Sequence, residues 1–203
     1  MITGFASEWH ESALNPQPDT LLNTFMKVFI LNLVLDVQYR DDDSAKVAGI
    51  LFQEWESDLV EASLVKTIPQ VAPYEPGHFY KRELPCLLEL ILDIDRPLDV
   101  IIIDGFVTLG QDQHPGLGAH LYHQLNKQTP VIGVAKSRFA DTPEETHIYR
   151  GESKNPLFVT SLGIPLSEAK HKITTMHGEF RIPTLLKRVD QLCRAEDEST
   201  GST

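Results

Sequence analysis

The chain has 203 residues, of which 41% are hydrophobic and 23% charged, a composition typical of a soluble globular protein with one domain. Its 29 acidic and 18 basic residues give a net charge of −11, which argues against a protein that holds nucleic acid mainly by a broad basic surface. No apolar run approaches the roughly 18 residues of a membrane-spanning helix, and the first 25 residues contain no Lys or Arg, so we predict a soluble, cytoplasmic protein without a membrane partner.

The two ends of the chain differ in composition from its middle. Residues 1–25 mix acidic, polar and proline positions without a period, and at Met26 the sequence turns abruptly apolar (MKVFILNLVLDV). We therefore predict a poorly ordered extension over 1–25, with Met1 or Met26 as the true start, a folded domain over 26–193 and a disordered acidic tail over 194–203.

Six short apolar segments predict β-strands and four amphipathic segments predict helices. The strands are expected at 27–37, 46–54, 58–67, 98–104, 130–135 and 156–161, and the helices at 84–91, 116–126, 166–176 and 185–193. Three successive strands followed by alternating helices and strands predict an α/β fold. Its mixed sheet would consist of an antiparallel three-strand meander extended by parallel strands, with helices packed on it.

Two aspartates end or interrupt apolar strands. Asp36 lies in VFILNLVLDV and Asp104 ends VIIID. Each alone is a common strand-end turn residue, but a carboxylate at the end of a buried strand is costly unless it is paired, protonated or bound to a cation. If the first and fourth strands are neighbours, the two carboxylates converge and favour Mg²⁺ or Mn²⁺, which can activate water and stabilise charge on a phosphoryl group.

Three further charged residues are candidates, each with an ordinary structural alternative. Glu83 begins the first predicted helix and Asp190 lies at the edge of the apolar face of the last one, where exposed helical carboxylates are common. Lys136 follows the apolar strand VIGVA, so it either faces an anion or extends to solvent.

The segment PYEPG, from Pro73 to Gly77, predicts a stiff turn before the first helix. Such a turn would present Tyr74 outward, and a rigid exposed aromatic side chain can wedge between stacked bases. Taken alone, the segment is equally an ordinary turn.

The cysteines and histidines do not predict a zinc site. Cys86 and Cys193 lack the paired spacing of zinc ligands and are too few for a disulfide framework, so we expect two buried thiols. No cysteine or carboxylate nearby in sequence completes a tetrahedral set with His114, His120 and His123, which are expected to be polar loop and helix residues.

Together these motifs resemble the endonuclease V (deoxyinosine 3′ endonuclease) family over about residues 27–193. The matching segments follow the family order and are LDV, PYEPGHFYKRELP, IIIDG, PVIGVAKSRF, NPLFVTSLG and RIP. Two motifs are specific: PYxPG followed by Arg-Glu, and IGVAKSR after the Asp-Gly segment. The probability that the full set matches by chance is therefore very small. The resemblance implies a ribonuclease H-like fold.

The resemblance also implies a catalytic set. Asp36, Glu83 and Asp104 match the metal-binding carboxylates, for Mg²⁺ or Mn²⁺. Asp190 matches a further active-site position, and Lys136 matches the catalytic lysine. The implied substrate-binding residues are Pro73, Tyr74, Pro76 and Gly77, which form a strand-separating wedge, and Gly105, His114 and His120 around the base pocket.

One loop departs from the family pattern DGxGxxHPR. His114 lies ten residues after Asp104 rather than six, as if four residues were inserted, and Gly116 replaces the arginine. Because this loop is expected to border the base pocket, base recognition and the role of His114 stay open.

The implied function is a metal-dependent endonuclease that cuts a phosphodiester 3′ to inosine in DNA or RNA and leaves a 5′-phosphate. One alternative is a noncatalytic or altered-specificity nucleic-acid-binding paralogue, and another is a nuclease with relaxed substrate choice. The sequence does not choose between DNA and RNA or fix the oligomeric state, although a monomer would suffice. Residues 136–190 contain nine basic and seven acidic residues, so we expect few phosphate contacts and weak binding without metal.

Overall fold

The computed structural model describes residues 31–73 and 75–196. The predicted extension over 1–25, Tyr74 and the part of the predicted tail after residue 196 lie outside the described residues. Within the described ranges, no helix is long and apolar enough to cross a membrane.

The described chain forms nine strands and four α-helices. The strands are β1 (Leu31–Tyr39), β2 (Ala45–Phe52), β3 (Ala62–Ile68), β4 (Leu98–Asp104), β5 (Thr108–Leu109), β6 (His114–Pro115), β7 (Val131–Ala135), β8 (His147–Ile148) and β9 (Leu157–Leu162). The helices are α1 (Tyr80–Ile91), α2 (Leu117–Gln124), α3 (Leu166–Thr175) and α4 (Thr184–Arg194).

Seven strands form one mixed sheet in the order β3-β2-β1-β4-β7-β9-β8. The first three strands form an antiparallel meander, β1, β4 and β7 run parallel, and β9 is antiparallel to both β7 and β8. The predicted mixed sheet, with the first and fourth strands as neighbours, is confirmed.

Helices cover both faces of this sheet. Because side chains alternate across a strand, Leu33 and Leu35 of β1 face one layer, built with α1 and α2, whereas Val34 faces the other. The second layer is built with α3 and α4. All eight residues of β2 are buried, so this strand is covered on both faces despite its place near the sheet edge.

Several element boundaries differ from the sequence prediction, most of all the start of the third strand, which is Ala62 rather than residue 58, and the start of the first helix. The helix predicted from residue 84 begins at Tyr80, because residues 81–83 close tight turns onto the carbonyls of His78 and Phe79 ahead of Pro85. Helix α4 extends through Arg194, the first residue of the predicted tail.

The loop that carries the four-residue insertion forms the β5–β6 hairpin. Its turn has positive φ at Gly110 (66°) and Gln113 (51°). The extra residues are therefore accommodated by a local antiparallel pairing rather than by a longer irregular loop.

A buried arginine holds the segment that joins α3 to α4. Arg150 is only 6% exposed, and its guanidinium donates hydrogen bonds at 2.9–3.2 Å to the carbonyl oxygens of Thr174, Phe180 and Gly178, with a further bond to Met176. One rigid planar cation thus satisfies four backbone acceptors.

We expect Arg150→Met to lower the free energy of unfolding by about 3 kcal/mol, because hydrogen bonds to charged groups are strong and the freed carbonyls would be left unpaired. Urea denaturation measures the change. Lys154→Met is the control, since it removes an exposed cation from the same region and should leave stability nearly unchanged. Equal midpoints for the two variants would contradict the structural role of Arg150.

Candidate active site

The strand register places two aspartates side by side at one end of the sheet. Leu35 of β1 pairs with Ile103 of β4, so Asp36 and Asp104 occupy the next positions on neighbouring parallel strands. Both continue the face that packs against α3 and α4, because Val34 and Ile102 lie two residues before them in that layer. The predicted convergence of the two carboxylates is therefore observed.

A lysine and a third aspartate complete the cluster. Lys136 follows β7, the next parallel strand, and its Nζ lies 2.6 Å from Asp104 Oδ2 and 3.6 Å from Asp190 Oδ1. Asp190 reaches the site from α4, which packs on the same face of the sheet. Asp36, Asp104 and Asp190 each offer a carboxylate oxygen, and these oxygens lie within 4.8 Å of one another.

Glu83 approaches from the opposite layer. It lies in the first turn of α1 and is only 6% exposed. Its charge interacts with those of Asp36 and Asp104, yet it is not part of the compact group of three carboxylates. The family resemblance implies that Glu83 is a metal ligand together with Asp36 and Asp104. In the structure, the third carboxylate of the compact group is that of Asp190.

Burial and mutual repulsion make the negative charge of this cluster costly. Burial, with the nearby charge of Asp104, raises the pKa of Asp36 to about 6. Burial, with the charges of Asp36 and Asp104, raises the pKa of Glu83 to about 8. Two like charges about 4 Å apart repel by about 4 kcal/mol at an effective dielectric constant near 20. A bound cation would remove that repulsion.

Two basic residues oppose the repulsion. Burial alone lowers the pKa of Lys136, but the hydrogen bond to Asp104 and the surrounding carboxylates outweigh it, so the net shift is upward and the ammonium form is favoured. Arg194 donates two hydrogen bonds to Asp190, at 3.0 and 3.1 Å, which lowers the pKa of that carboxyl group. The site still holds more carboxylates than cations.

This donor set fits a hard divalent cation. Carboxylate oxygens are the ligands that Mg²⁺ and Mn²⁺ prefer, and the partly exposed cluster leaves room for water. Among the described residues it is the single group of three or more acidic, histidine or cysteine side chains with this spacing. A metal held here beside Lys136 can activate water and stabilise charge on a phosphoryl group.

Backbone contacts fix the parts of the site that carry these side chains. Arg181 donates hydrogen bonds to the carbonyl oxygen of Lys136 and, at 2.8 Å, to that of Pro156. The thiol of Cys193 donates to the carbonyl oxygen of Asp36 at 3.0 Å. Cys193 is buried, as is Cys86, in agreement with the sequence prediction.

A mostly apolar cavity of about 370 Å³ opens beside the cluster, shares Asp104 with it and is also lined by Glu83. We name it the aromatic pocket. Its other lining residues are Gly77, Phe79, Tyr80, Gly105, Phe106, Leu109, Pro115, Gly116, Leu117 and Phe139. Its size lies within the roughly 300–1,000 Å³ of small-molecule sites. The pocket can therefore hold a flat organic group next to the carboxylates.

The structure explains why glycine stands where the family pattern has arginine. A Cβ atom on Gly116 would lie 2.7 Å from the carbonyl oxygen of Phe106, and the Gly116 N–H donates to the carbonyl of Val107 at 2.8 Å. The chain after Asp104 thus folds directly onto the start of α2. A longer side chain at Gly116 would force this wall of the aromatic pocket apart.

The predicted substrate-binding residues separate into two groups. Gly77 and Gly105 line the aromatic pocket, next to the carboxylates. Pro73 and Pro76 lie in the exposed turn before α1, and Tyr74 is outside the described residues.

The two histidines lie elsewhere. His114 is on the hairpin with its side chain 75% exposed and does not line the pocket. His120 stacks on Tyr80, with ring centroids 3.6 Å apart, so it supports the pocket from behind.

A second cavity of about 320 Å³ lies beside Lys136 and Asp190 of the cluster. It is lined by Lys136, Phe180, Arg181, Ile182, Lys187 and Asp190, and we name it the Phe180 cleft. The sequence analysis did not single out Phe180 or Lys187, nor the pocket residues Phe106 and Phe139. Aromatic residues within a few positions of a candidate catalytic residue are the signal that could have drawn attention to them.

The raised pKa of Asp36 predicts a pH-dependent stability of the metal-free protein. The folded state binds this proton more tightly than the unfolded chain, so stability should fall as pH rises from about 4 to 8. We expect Asp36→Asn to be more stable than the wild type by about 2 kcal/mol at pH 8, with no gain at pH 4. Urea denaturation with a chelator at both pH values measures the difference.

The control is Asp99→Asn, which removes an exposed carboxylate from the opposite end of β4. It should show the same pH dependence as the wild type. A divalent cation binds only the folded site, so its binding energy adds to the stability of the fold. It should stabilise the wild type and Asp99→Asn more than Asp36→Asn, because Asp36→Asn lacks one of the three carboxylates of the site. If the free energy of unfolding of Asp36→Asn followed that of the wild type in parallel at every pH, the conclusion that the charge of Asp36 destabilises the fold would be contradicted.

Comparison with known proteins identifies a family. The endonuclease V family profile matches residues 23–172. Endonuclease V of Streptomyces coelicolor is 29% identical over 184 residues, which cover 79% of this chain and 76% of that protein.

Two solved structures share the fold. The crystal structure of endonuclease V from Streptomyces avermitilis has 25% identity and a TM-score of 0.65 over 81% of this chain and 79% of that chain. That of Ciona intestinalis endonuclease V, in complex with a DNA containing an inosine followed by a ribo-adenosine, has 15% identity and a TM-score of 0.65 over 87% and 96%. The ribonuclease H-like fold is confirmed, and the chain belongs to the endonuclease V family, whose members are metal-dependent endonucleases.

Proposed function

We propose that this protein cleaves a phosphodiester bond 3′ to inosine in DNA or RNA, in nucleic-acid repair or processing, with residues 26–193 as the catalytic domain. The observation that carries the proposal is the three-aspartate cluster, with Lys136 bonded to Asp104, next to the aromatic pocket. Cleavage at a chosen nucleotide needs both features. The cluster would supply the chemistry of hydrolysis, and the aromatic pocket would select the nucleotide.

In this proposal Asp36, Asp104 and Asp190 would hold Mg²⁺, or Mn²⁺ in its place, and Glu83 would complete the shell or orient water. The cation, when bound, would supply an activated water and neutralise charge on the phosphoryl group. Glu83 is buried beside the cluster, where burial and the charges of Asp36 and Asp104 raise its pKa to about 8, and a cation bound nearby would favour its carboxylate form.

Lys136 acts on the phosphoryl group from the same side. Its ammonium group lies between Asp104 and Asp190, where it can donate a hydrogen bond to a non-bridging oxygen as negative charge develops. The contact from Arg181 to the Lys136 carbonyl oxygen holds the backbone at this point. The lysine is therefore positioned before substrate arrives, which lowers the cost of reorganisation.

The aromatic pocket would receive the hypoxanthine base after it leaves the helical stack. Phe106 and Phe139 supply apolar walls, and backbone groups around Gly105 and Gly116 can read the edge of the base. Tyr74, from the PYEPG segment, would fill the gap that the base leaves in the stack. The Ciona intestinalis structure supports this proposal, because that relative is in complex with inosine-containing DNA.

The alternative is a binding protein on the same fold that no longer cleaves, or one with altered specificity. The extended hairpin and the exposed position of His114 favour altered base recognition. The complete cluster of three aspartates and Lys136 favours cleavage, because a protein that only binds gains nothing from a carboxylate cluster that repels phosphate.

Asp104→Asn should abolish cleavage of an inosine-containing oligonucleotide in Mg²⁺, with a loss of at least about 10³-fold in rate, since it removes a metal ligand and the partner of Lys136. Single-turnover cleavage with denaturing electrophoresis measures the rate. Asp99→Asn is the matched control on the same strand and should cleave at the wild-type rate.

The binding alternative predicts a different pattern. It requires wild-type protein to bind the oligonucleotide in both EDTA and Mg²⁺ without cutting it. Inosine, mismatch and flap substrates tested together separate inosine selection from relaxed choice. Wild-type cleavage by Asp104→Asn, or equal cleavage of inosine and undamaged substrates, would overturn the corresponding part of the proposal.

A further inference from the structure

We propose that the Phe180 cleft binds the nucleotide that follows the cleaved bond, with Phe180 as a stacking platform for its base and Lys187 as a contact to its phosphate. The proposal rests on the proposed function, since it concerns the path of the same substrate. It assigns a binding role to two residues outside the catalytic cluster.

The first observation is the position of the cleft. The aromatic pocket shares Asp104 with the carboxylate cluster, and the Phe180 cleft shares Asp190 and Lys136 with it. The cluster therefore lies between the two cavities. If the flipped base occupies the aromatic pocket and the cut falls on its 3′ side, the chain beyond the cut runs toward the Phe180 cleft.

The second observation is an exposed aromatic ring on a fixed backbone. The Phe180 side chain is 68% exposed, so its ring contributes little to the core. Its backbone is nevertheless held, because the Phe180 carbonyl oxygen accepts a hydrogen bond from Arg150 at 3.0 Å and the side chain of the next residue, Arg181, donates to the carbonyl oxygens of Lys136 and Pro156. A solvent-facing ring on a fixed backbone is available for stacking without the cost of ordering the backbone on binding.

The third observation is the charge of the cleft. Lys187 is exposed and lies three residues before Asp190 on α4, so both side chains share one face of the helix. In the part of the chain that the structure describes, no ion pair occupies Lys187. In a chain with a net charge of −11, a free cation beside an aromatic ring and a phosphoryl-binding site matches a nucleotide better than an acidic or apolar protein segment.

The test uses inosine oligonucleotides in which the cleaved bond is followed by an abasic sugar alone, which cannot stack, or by one, two or four nucleotides. For the wild type, we expect KM to fall about tenfold once the oligonucleotide is long enough to fill the cleft, since stacking of one base is worth about one order of magnitude in affinity. Phe180→Ala should lose this gain and should cleave the shortest substrate at the wild-type rate.

A second readout reports stacking directly. A 2-aminopurine placed after the cleaved bond should be quenched in the wild-type complex with Ca²⁺ in place of Mg²⁺, and the quenching should be lost in Phe180→Ala and restored in Phe180→Trp. Lys187→Met should weaken binding for all base sequences and reduce the slope of log affinity against log salt by about one.

Leu92→Ala is the matched control. Leu92 is also an exposed apolar residue, at 79%, and follows α1 about 13 Å along the helix from Glu83. It should leave cleavage, length dependence and quenching unchanged, and both alanine variants should keep the wild-type thermal midpoint.

The outcomes separate the two proposals. A wild-type protein that cleaves no inosine substrate overturns the proposed function, while the length dependence of binding still tests the cleft. A wild type that cleaves but shows no length dependence, or a Phe180→Ala variant that keeps it, overturns the role of Phe180. Equal losses by Phe180→Ala on the shortest and longest substrates would also overturn it, because they would indicate a general defect.

Discussion

The parallel register of β1 and β4 is the constraint on which the site depends. Because Leu35 is paired with Ile103, the following residues must lie side by side on two central strands, with Asp36 in the second half of β1 and Asp104 at the end of β4. Buried apolar side chains on both faces hold this register, since a shift by one residue would turn each leucine and isoleucine to the wrong layer. The hydrophobic core therefore forces two negative charges together.

The rest of the site is arranged around that forced proximity. Lys136 and Arg194 lower the electrostatic cost of the carboxylate charges, whereas buried Glu83 raises it. The raised pKa values, about 6 for Asp36 and about 8 for Glu83, show that burial and repulsion outweigh the two cations at these carboxyl groups. A site of this kind is less stable when empty and gains stability when a divalent cation binds. Function and stability thus act against each other at one end of the sheet.

Two arginines hold the backbone of the loops that surround the cluster. Arg150 binds four carbonyl oxygens between α3 and α4, and Arg181 joins that segment to the backbone of Lys136. In a chain with few cations, these two are used internally rather than on a basic surface. The molecule therefore fits a nuclease that holds a few nucleotides next to a metal more than one that coats a nucleic acid.

The sequence by itself determined the mixed sheet and the four helices, and charges at strand ends made Asp36, Asp104 and Lys136 candidates. Apolar periodicity and strand-end charges are local features, so they can be read without coordinates. Glu83 and Asp190, each with an ordinary alternative as an exposed helical carboxylate, were assigned to the site by the resemblance to the family motifs. Only the tertiary structure decided that Asp190, rather than Glu83, completes the compact group, because that depends on how α1 and α4 pack on opposite faces of the sheet. The aromatic pocket and the Phe180 cleft likewise depend on contacts between segments distant in sequence, such as the one between Arg181 and Lys136.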